Sequence, residues 1–343
     1  MNEEQTNMKG LILATILCAL VIIISRYLFP VAEVTNTPQT TPSTEVATPA
    51  VQEAATEAEK IYPVEQILKQ NARININNND IEGTIRVQGS RFDDLMLKKY
   101  KQTLAEDSPE VELLAPGKSA SPYYAEFGWL TTQKGIKVPT DQTLWTVKGK
   151  ELTPDTPITL EWNNGQGLRF IRTISIDNNY MFTINDSVEN NTNQTVTLYP
   201  YGLISRTPSE EQSATSVVHQ GITGVVNNNL EEIKFNDLDE GEHEKFKTTG
   251  GWAGFSDRYW FSAFILDNNN AQTVKAGRIN KETYQVDYLG TPLTIAQGSV
   301  GSTNVRFFAG AKEIKLLDNY TRQLNIPKFD LAVDFGWYYF LTK

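Results

Sequence analysis

The chain has 343 residues, a formal net charge of −10, 40% hydrophobic residues, only two His and a single Cys. An acidic balance argues against nucleic acid as a partner, because that role needs a basic face. The lone Cys18 excludes an intrachain disulfide and a thiolate zinc cluster, and a domain of this size can bury a core without either.

In chain order, the first feature is the apolar run GLILATILCALVIIIS at residues 10–25, bounded by Lys9 and Arg26. A bilayer span needs about 20 mainly apolar residues, a length reached through Phe29 if Arg26 snorkels its guanidinium to the interface. Glu3 and Glu4 weaken the basic start of a secretory peptide, and no good small-x-small cleavage site follows Phe29. Residues 1–29 are therefore read as a short tail and an uncleaved signal anchor, with Leu11, Ile16, Leu20, Ile23 and Arg26 contacting lipid. Residues 30–60 are rich in Thr, Pro, Ala, Val and Glu and, up to residue 60, hold no aromatic residue, so they read as a disordered spacer.

From Ile61 onward, aromatic and β-branched runs alternate with Asn, Gly, Asp and Pro, which predicts strands and turns. In LRFIRTISI, residues Phe170, Arg172, Ile174 and Ile176 share one face; Asp177, Asn178 and Asn179 supply a turn, and YMFTINDSVEN returns as the next strand. Further strands are expected in ARININ, GTIRVQG, PITLEW, TVTLYPYGLIS, TGVVN, EEIKFNDL, YWFSAFIL, TYQVDYL and STNVRFFAG. Dense strands without a fixed repeat predict a mainly β fold, one large sandwich over residues 61–326.

Helical spacing comes late. AKEIKLLDNYTRQLN places Ile314, Leu317 and Leu324 near one face with Tyr320 between them, and Pro327 ends the segment. In residues 327–343, Phe329, Val333, Trp337 and Phe340 recur at helical spacing beside Tyr338. This pattern fits an amphipathic helix lying on a membrane and fits equally a core-facing C-terminal element.

Catalytic motifs are missing from the sequence. His219 and His243 sit in no recognisable motif, the DNNN stretch at 267–270 lacks the glycine and closing Glu of a calcium loop, and no GK[ST] follows Gly250 and Gly251. The expectation is a non-enzyme without cofactor or metal.

The blocks GGWAGFSDRYWFSAFIL (250–266), VRFFAGAKEIKLLDNY (305–320), FDLAVDFGWYYFLTK (329–343) and IEGTIRVQGSRFDDLMLKKY (81–100) resemble, in order and spacing, those of the YidC family of bacterial inner-membrane protein insertases. The resemblance implies a cytoplasmic N-terminus, a periplasmic β-super-sandwich of galactose mutarotase-like fold, and an edge helix over 311–325. In that helix Ile314, Leu317, Tyr320 and Leu324 would couple the sandwich to an interfacial helix. The interfacial helix would carry Phe329, Val333, Trp337, Tyr338 and Phe340. It implies a role in inserting and folding inner-membrane proteins, with the lipid bilayer, nascent inner-membrane proteins and accessory subunits of the Sec translocon as partners. It also implies a five-helix membrane core beyond Lys343, so that this chain would be the front portion of an insertase. The rival reading is a membrane-tethered carbohydrate-binding or mutarotase-like domain. That would need Trp129, Trp145 and Trp162 on an open sheet face, or a histidine paired with Glu231, Glu232, Glu242 or Glu244.

Overall fold

The computed structural model describes residues 60–209 and 219–333. The anchor residues Leu11, Ile16, Leu20, Ile23 and Arg26, the spacer before Lys60, and Trp337, Tyr338 and Phe340 lie outside them. Among the described residues no helix is long and apolar enough to cross a membrane.

Among the described residues strands dominate, and they form two sheets. The first has eleven strands. Its path runs through His243–Thr249, Ala271–Arg278, Tyr284–Leu289, Val196–Arg206, Tyr123–Leu130, Arg91–Lys101, Ile81–Arg86, Arg73–Asn77 and Glu151–Leu152. Leu293–Ile295 and Glu110–Leu114 pair off that path. The second sheet has nine: Asn229–Lys234, Gly221–Val226, Trp252–Ser256, Trp260–Ile265, Val300–Ala311, Met181–Asn190, Leu168–Ile176, Ile158–Asn163 and Thr146–Lys148. Pairing is antiparallel except where Arg73–Asn77 meets Glu151–Leu152.

The sheets meet through aromatic rings. Phe92 and Phe127 of the first pack edge-on against Phe182 and Phe264 of the second, with centroids 5.2 and 5.6 Å apart, and Phe307 touches all four. Edge-to-face contacts of this kind satisfy the ring quadrupoles as well as the hydrophobic drive. The expected hairpin is present: Leu168–Ile176 alternates strictly between buried and half-exposed positions and pairs along its length with Met181–Asn190. The Asp177 carboxylate closes the turn by accepting from the backbone N–H of Asn179 and Met181 at 2.8 and 3.1 Å.

Arg172 lies on the inner alternation with Phe170 and Ile174, and the structure buries it there. Asp186, its register partner on the next strand, accepts from Nε and Nη2 at 2.7 and 2.6 Å. A second buried pair joins Arg206 to Asp257. Each guanidinium has a carboxylate and an aromatic neighbour, which keeps its burial tolerable.

Three expectations need adjusting. EEIKFNDL is not one strand: Asn229–Lys234 stops and Phe235–Asp237 forms a 3-10 turn that drives Phe235 into the core. The edge helix spans Ile314–Gln323, because Ala311 still belongs to the preceding strand. Residues Phe329–Ala332 form a 3-10 turn that ends at an extended Val333, so they are not the opening of a longer helix.

Candidate functional site

The C-terminal helix and the turn after it pack on the nine-stranded sheet, on the face turned away from the first sheet. Alternation decides this: Phe307 points into the sandwich, so Phe308 on the same strand points out, as do Phe261 and Trp252 on neighbouring strands. Those outward rings need a cover. The helix supplies Leu317 and Tyr320, both buried, and the segment after it supplies Ile326, Phe329 and Ala332. Phe329 is fully buried, with ring centroids 5.3 Å from Phe308 and 5.7 Å from Trp252.

Of the four residues predicted on the helix face, Leu317 and Tyr320 face the sheet; Leu324, at the helix end, is partly buried against the core, and Ile314 is largely exposed. Phe329 and Val333 were predicted on an interfacial helix. The structure places Phe329 in the core and Val333, partly buried, against it. The fully apolar surroundings of Phe329 are the physical reason: an outward sheet face carrying Trp252, Phe261 and Phe308 hides more apolar surface than a solvent-facing turn could.

A polar clasp holds the same joint. Glu313, just before the helix, accepts hydrogen bonds from the phenols of Tyr180 at 3.0 Å and Tyr100 at 3.2 Å. Tyr320 donates to the Asp177 carboxylate, which also organises the hairpin turn. Asn179 of that turn donates to Asp80 at 2.8 Å, and Asp80 pairs with Lys99. Burial, then the adjacent carboxylates, push the Tyr180 and Tyr320 phenols far above their ordinary range, and Tyr100 is raised for the same reasons. They remain protonated donors throughout the neutral range.

Backbone contacts complete the hold. The Trp252 indole N–H donates to the Pro327 carbonyl at 3.0 Å, Asn268 to that of Asn325 at 2.9 Å, and Lys328 to that of Asn228 at 2.7 Å. Asn325 and Lys328 take positive φ of 52° and 50°, which turns the chain back onto the sheet. Asn tolerates that region well; Lys328 pays a strain offset by the packing of its neighbour Phe329.

Gly310 makes the clasp possible. A Cβ there would lie 2.1 Å from the Tyr180 ring, and that ring cannot retreat without leaving Glu313. Gly310→Ala is therefore expected to cost about 1–3 kcal/mol by overpacking, read as a lower urea midpoint with an altered near-ultraviolet tyrosine spectrum. An unchanged spectrum and midpoint would show that Tyr180 has room.

The rival sites do not assemble. Trp129 and Trp145 are buried, and Trp162 packs against Phe170 at 5.6 Å, so the three form no open platform. Among the described residues neither His219 nor His243 meets a carboxylate; His219 contacts the Ile222 carbonyl at 3.2 Å. The clasp itself is chemically quiet, its carboxylates serving as fixed acceptors. What it can do is hold residues 312–333 in one place on the sandwich. Sequence reasoning gave Glu313, Tyr180 and Trp252 no part in this joint and saw Asp177 only as a turn residue, because the partners they meet here lie far along the chain and leave no local pattern.

Comparison with known proteins gives the chain a family and relatives. A family model described as the YidC periplasmic domain matches residues 73–343. The membrane protein insertase YidC of Beijerinckia indica is 42% identical over 287 residues, covering 81% of this chain and 47% of that protein. That of Bradyrhizobium diazoefficiens is 38% identical, covering 98% of this chain and 61% of its own length. The chain thus spans about half the length of the curated relatives it matches. Among solved structures, a galactose mutarotase-like protein from Lactobacillus casei aligns with 69% of this chain and 100% of its own, at 9% identity and a TM-score of 0.49.

Proposed function

The chain belongs to the YidC family of membrane protein insertases, and from that premise we propose that it is the anchored periplasmic portion of an inner-membrane insertase. The sandwich serves as the scaffold that sets where residues 334–343 meet the membrane. The joint carries this reading: aromatic packing and a polar clasp fix the chain as far as Val333, directly before Trp337, Tyr338 and Phe340. Trp and Tyr settle at the lipid–water boundary, and a segment leaving a rigid body would enter that boundary at a fixed depth and direction. Residues 1–29 tether the same domain from its other end.

In this reading the partners are the bilayer, nascent inner-membrane proteins and accessory subunits of the Sec translocon. The work is binding and positioning, without covalent chemistry. A nascent segment must bring polar flanks past hydrocarbon, where each unsatisfied group costs several kcal/mol, and a core held at the right depth lowers that cost.

Two measurements test the proposal. Protease added to spheroplasts is expected to digest the sandwich while leaving cytoplasmic markers intact; digestion only after lysis would place the domain on the wrong side. An antibody to the sandwich should detect, in native membranes, a protein about twice the length of this chain, in line with its share of the B. indica relative. A product ending at Lys343 would overturn the insertase assignment.

A further inference from the structure

The open face of the eleven-stranded sheet carries a cleft of about 610 Å³ that the membrane role does not use. Its residues follow from alternation: Arg73, Arg86 and Arg91 flank the core residues Ile74, Ile85 and Phe92, and so point away from the sandwich. The floor is apolar. Tyr124, Tyr201 and Leu203 form a buried cluster of their own, separate from the main core. Gly128 leaves room for it, since a Cβ there would lie 2.6 Å from the Tyr201 ring.

Two of the three arginines are spoken for. Arg73 pairs with Asp93, and Arg91 pairs with Glu126 while lying 4.0 Å over the Tyr124 ring. Arg86 makes no ion pair among the described residues. Its Nε donates to the Gln88 carbonyl at 2.8 Å and Nη2 reaches the Asp141 carbonyl at 3.4 Å. With the Arg73–Asp93 and Arg91–Glu126 pairs set apart, Arg86 is the arginine left in the lining, beside Asp141. Burial, then the neighbouring Arg91, lower the pKa of Arg86, the mark of a cation whose charge is poorly compensated.

We propose that this cleft binds a small organic oxyanion, a carboxylate or phosphate on an apolar body, with Arg86 anchoring the anion and the Tyr201–Leu203 floor taking the body. A guanidinium held by two carbonyls is already oriented, and its planar fork suits a carboxylate or phosphate. The cleft volume falls in the range of small-molecule sites. The site is independent of the membrane role and stands or falls separately from it.

The probe is phenyl phosphate, titrated calorimetrically into the full chain in lipid nanodiscs. Binding is expected with Kd of about 1 mM or tighter, roughly tenfold tighter than benzyl alcohol, which lacks the charge, or inorganic phosphate, which lacks the body. R86Q should weaken phenyl phosphate at least about tenfold and R86K, which keeps the charge without the fork, by less. R306Q, on the other sheet, should change nothing, and equal melting temperatures of R86K and the unaltered chain exclude a folding defect. Equal affinity in R86Q and R306Q, inorganic phosphate binding as tightly as phenyl phosphate, or no heat at about 10 mM probe would each overturn the proposal.

Discussion

Raising the pH past about 10 is expected to unfold the sandwich cooperatively, with the loss centred near pH 11. The cause is a set of tyrosines placed where a phenolate cannot be solvated. Tyr123, Tyr201 and Tyr288 are each at most 7% exposed. Burial pushes Tyr123 up to about 12 and the other two higher still, with the Glu126 charge adding to Tyr201 and that of Asp186 to Tyr288. In the unfolded chain these phenols ionise near pH 10, while in the folded chain they hold their protons. Above pH 10 the unfolded state therefore binds fewer protons, and stability falls as pH rises. Below pH 10 both states are protonated and the full stability is present. Each phenol forfeits about 1.4 kcal/mol at pH 11, so these three remove about 4 kcal/mol, against a typical total of about 5–15. Tyr180 and Tyr320 in the joint act in the same direction. The check is a pH titration followed by circular dichroism and tyrosinate absorbance together. The two signals should move in one transition, and Tyr288→Phe should make it shallower. Tyrosinate appearing near pH 10 with the dichroism intact would mean that the phenols reach water in the folded protein.

How much of this was legible before the structure depends on whether the controlling partner is near in sequence. The hairpin of Leu168–Ile176 and Met181–Asn190 could be read because one face is buried and the other is not, and because Asp177 and Asn179 belong to the turn they close. Tyr123–Leu130 was not proposed as a strand. It is central and nearly every residue is buried, on the cleft side because Arg91 lies over Tyr124 and the Tyr201 ring over Gly128, so the strand shows no alternation. Arg91–Lys101 looks too charged for a sheet interior, yet Asp94 is matched by Thr84 of the adjacent strand and Asp93 by Arg73 of the strand beyond it. Trp252–Ser256 follows two glycines and is only five residues long, so it reads as a turn until the strands on either side bury it.

The joint shows the same division. Its helix is visible in the spacing of Leu317, Tyr320 and Leu324, and the resemblance to the insertase family located it before any contact was known. The clasp is not visible, because Glu313 finds Tyr180 across 133 residues and Tyr100 across 213. Helical spacing also drew Phe329 toward the membrane, since periodicity registers an apolar face without saying what covers it. The outward rings of the second sheet supply that cover, and they are scattered among three strands.

Phe329→Ala is expected to detach the end of the chain from the sandwich and, in the intact insertase, to impair insertion at normal protein levels. The ring is fully buried and touches Trp252, Phe261, Phe308 and Tyr320. Removing such a ring from a packed site costs about 3–5 kcal/mol. The loss falls first on the segment the ring pins, whose remaining holds include the buried Ile326 and Ala332, the partly buried Leu331 and Val333, and the hydrogen bonds of Trp252 to Pro327 and of Lys328 to Asn228. Local opening should therefore precede global unfolding. Hydrogen exchange is expected to show lost protection from Leu324 through Val333 while Leu168–Ile176 stays protected. Phe329→Leu, which conserves most of the volume, should cost under about 1.5 kcal/mol and keep that protection. In cells depleted of their own insertase, the Leu variant should restore growth and the Ala variant should not, at equal abundance in the membrane. Growth restored equally by both, with protection lost only in Ala, would separate the joint from the insertion reaction and leave the sandwich a tethered domain that the membrane core does not need. Protection retained in the Ala variant would mean that the clasp at Glu313 and Tyr320 holds the segment without the ring.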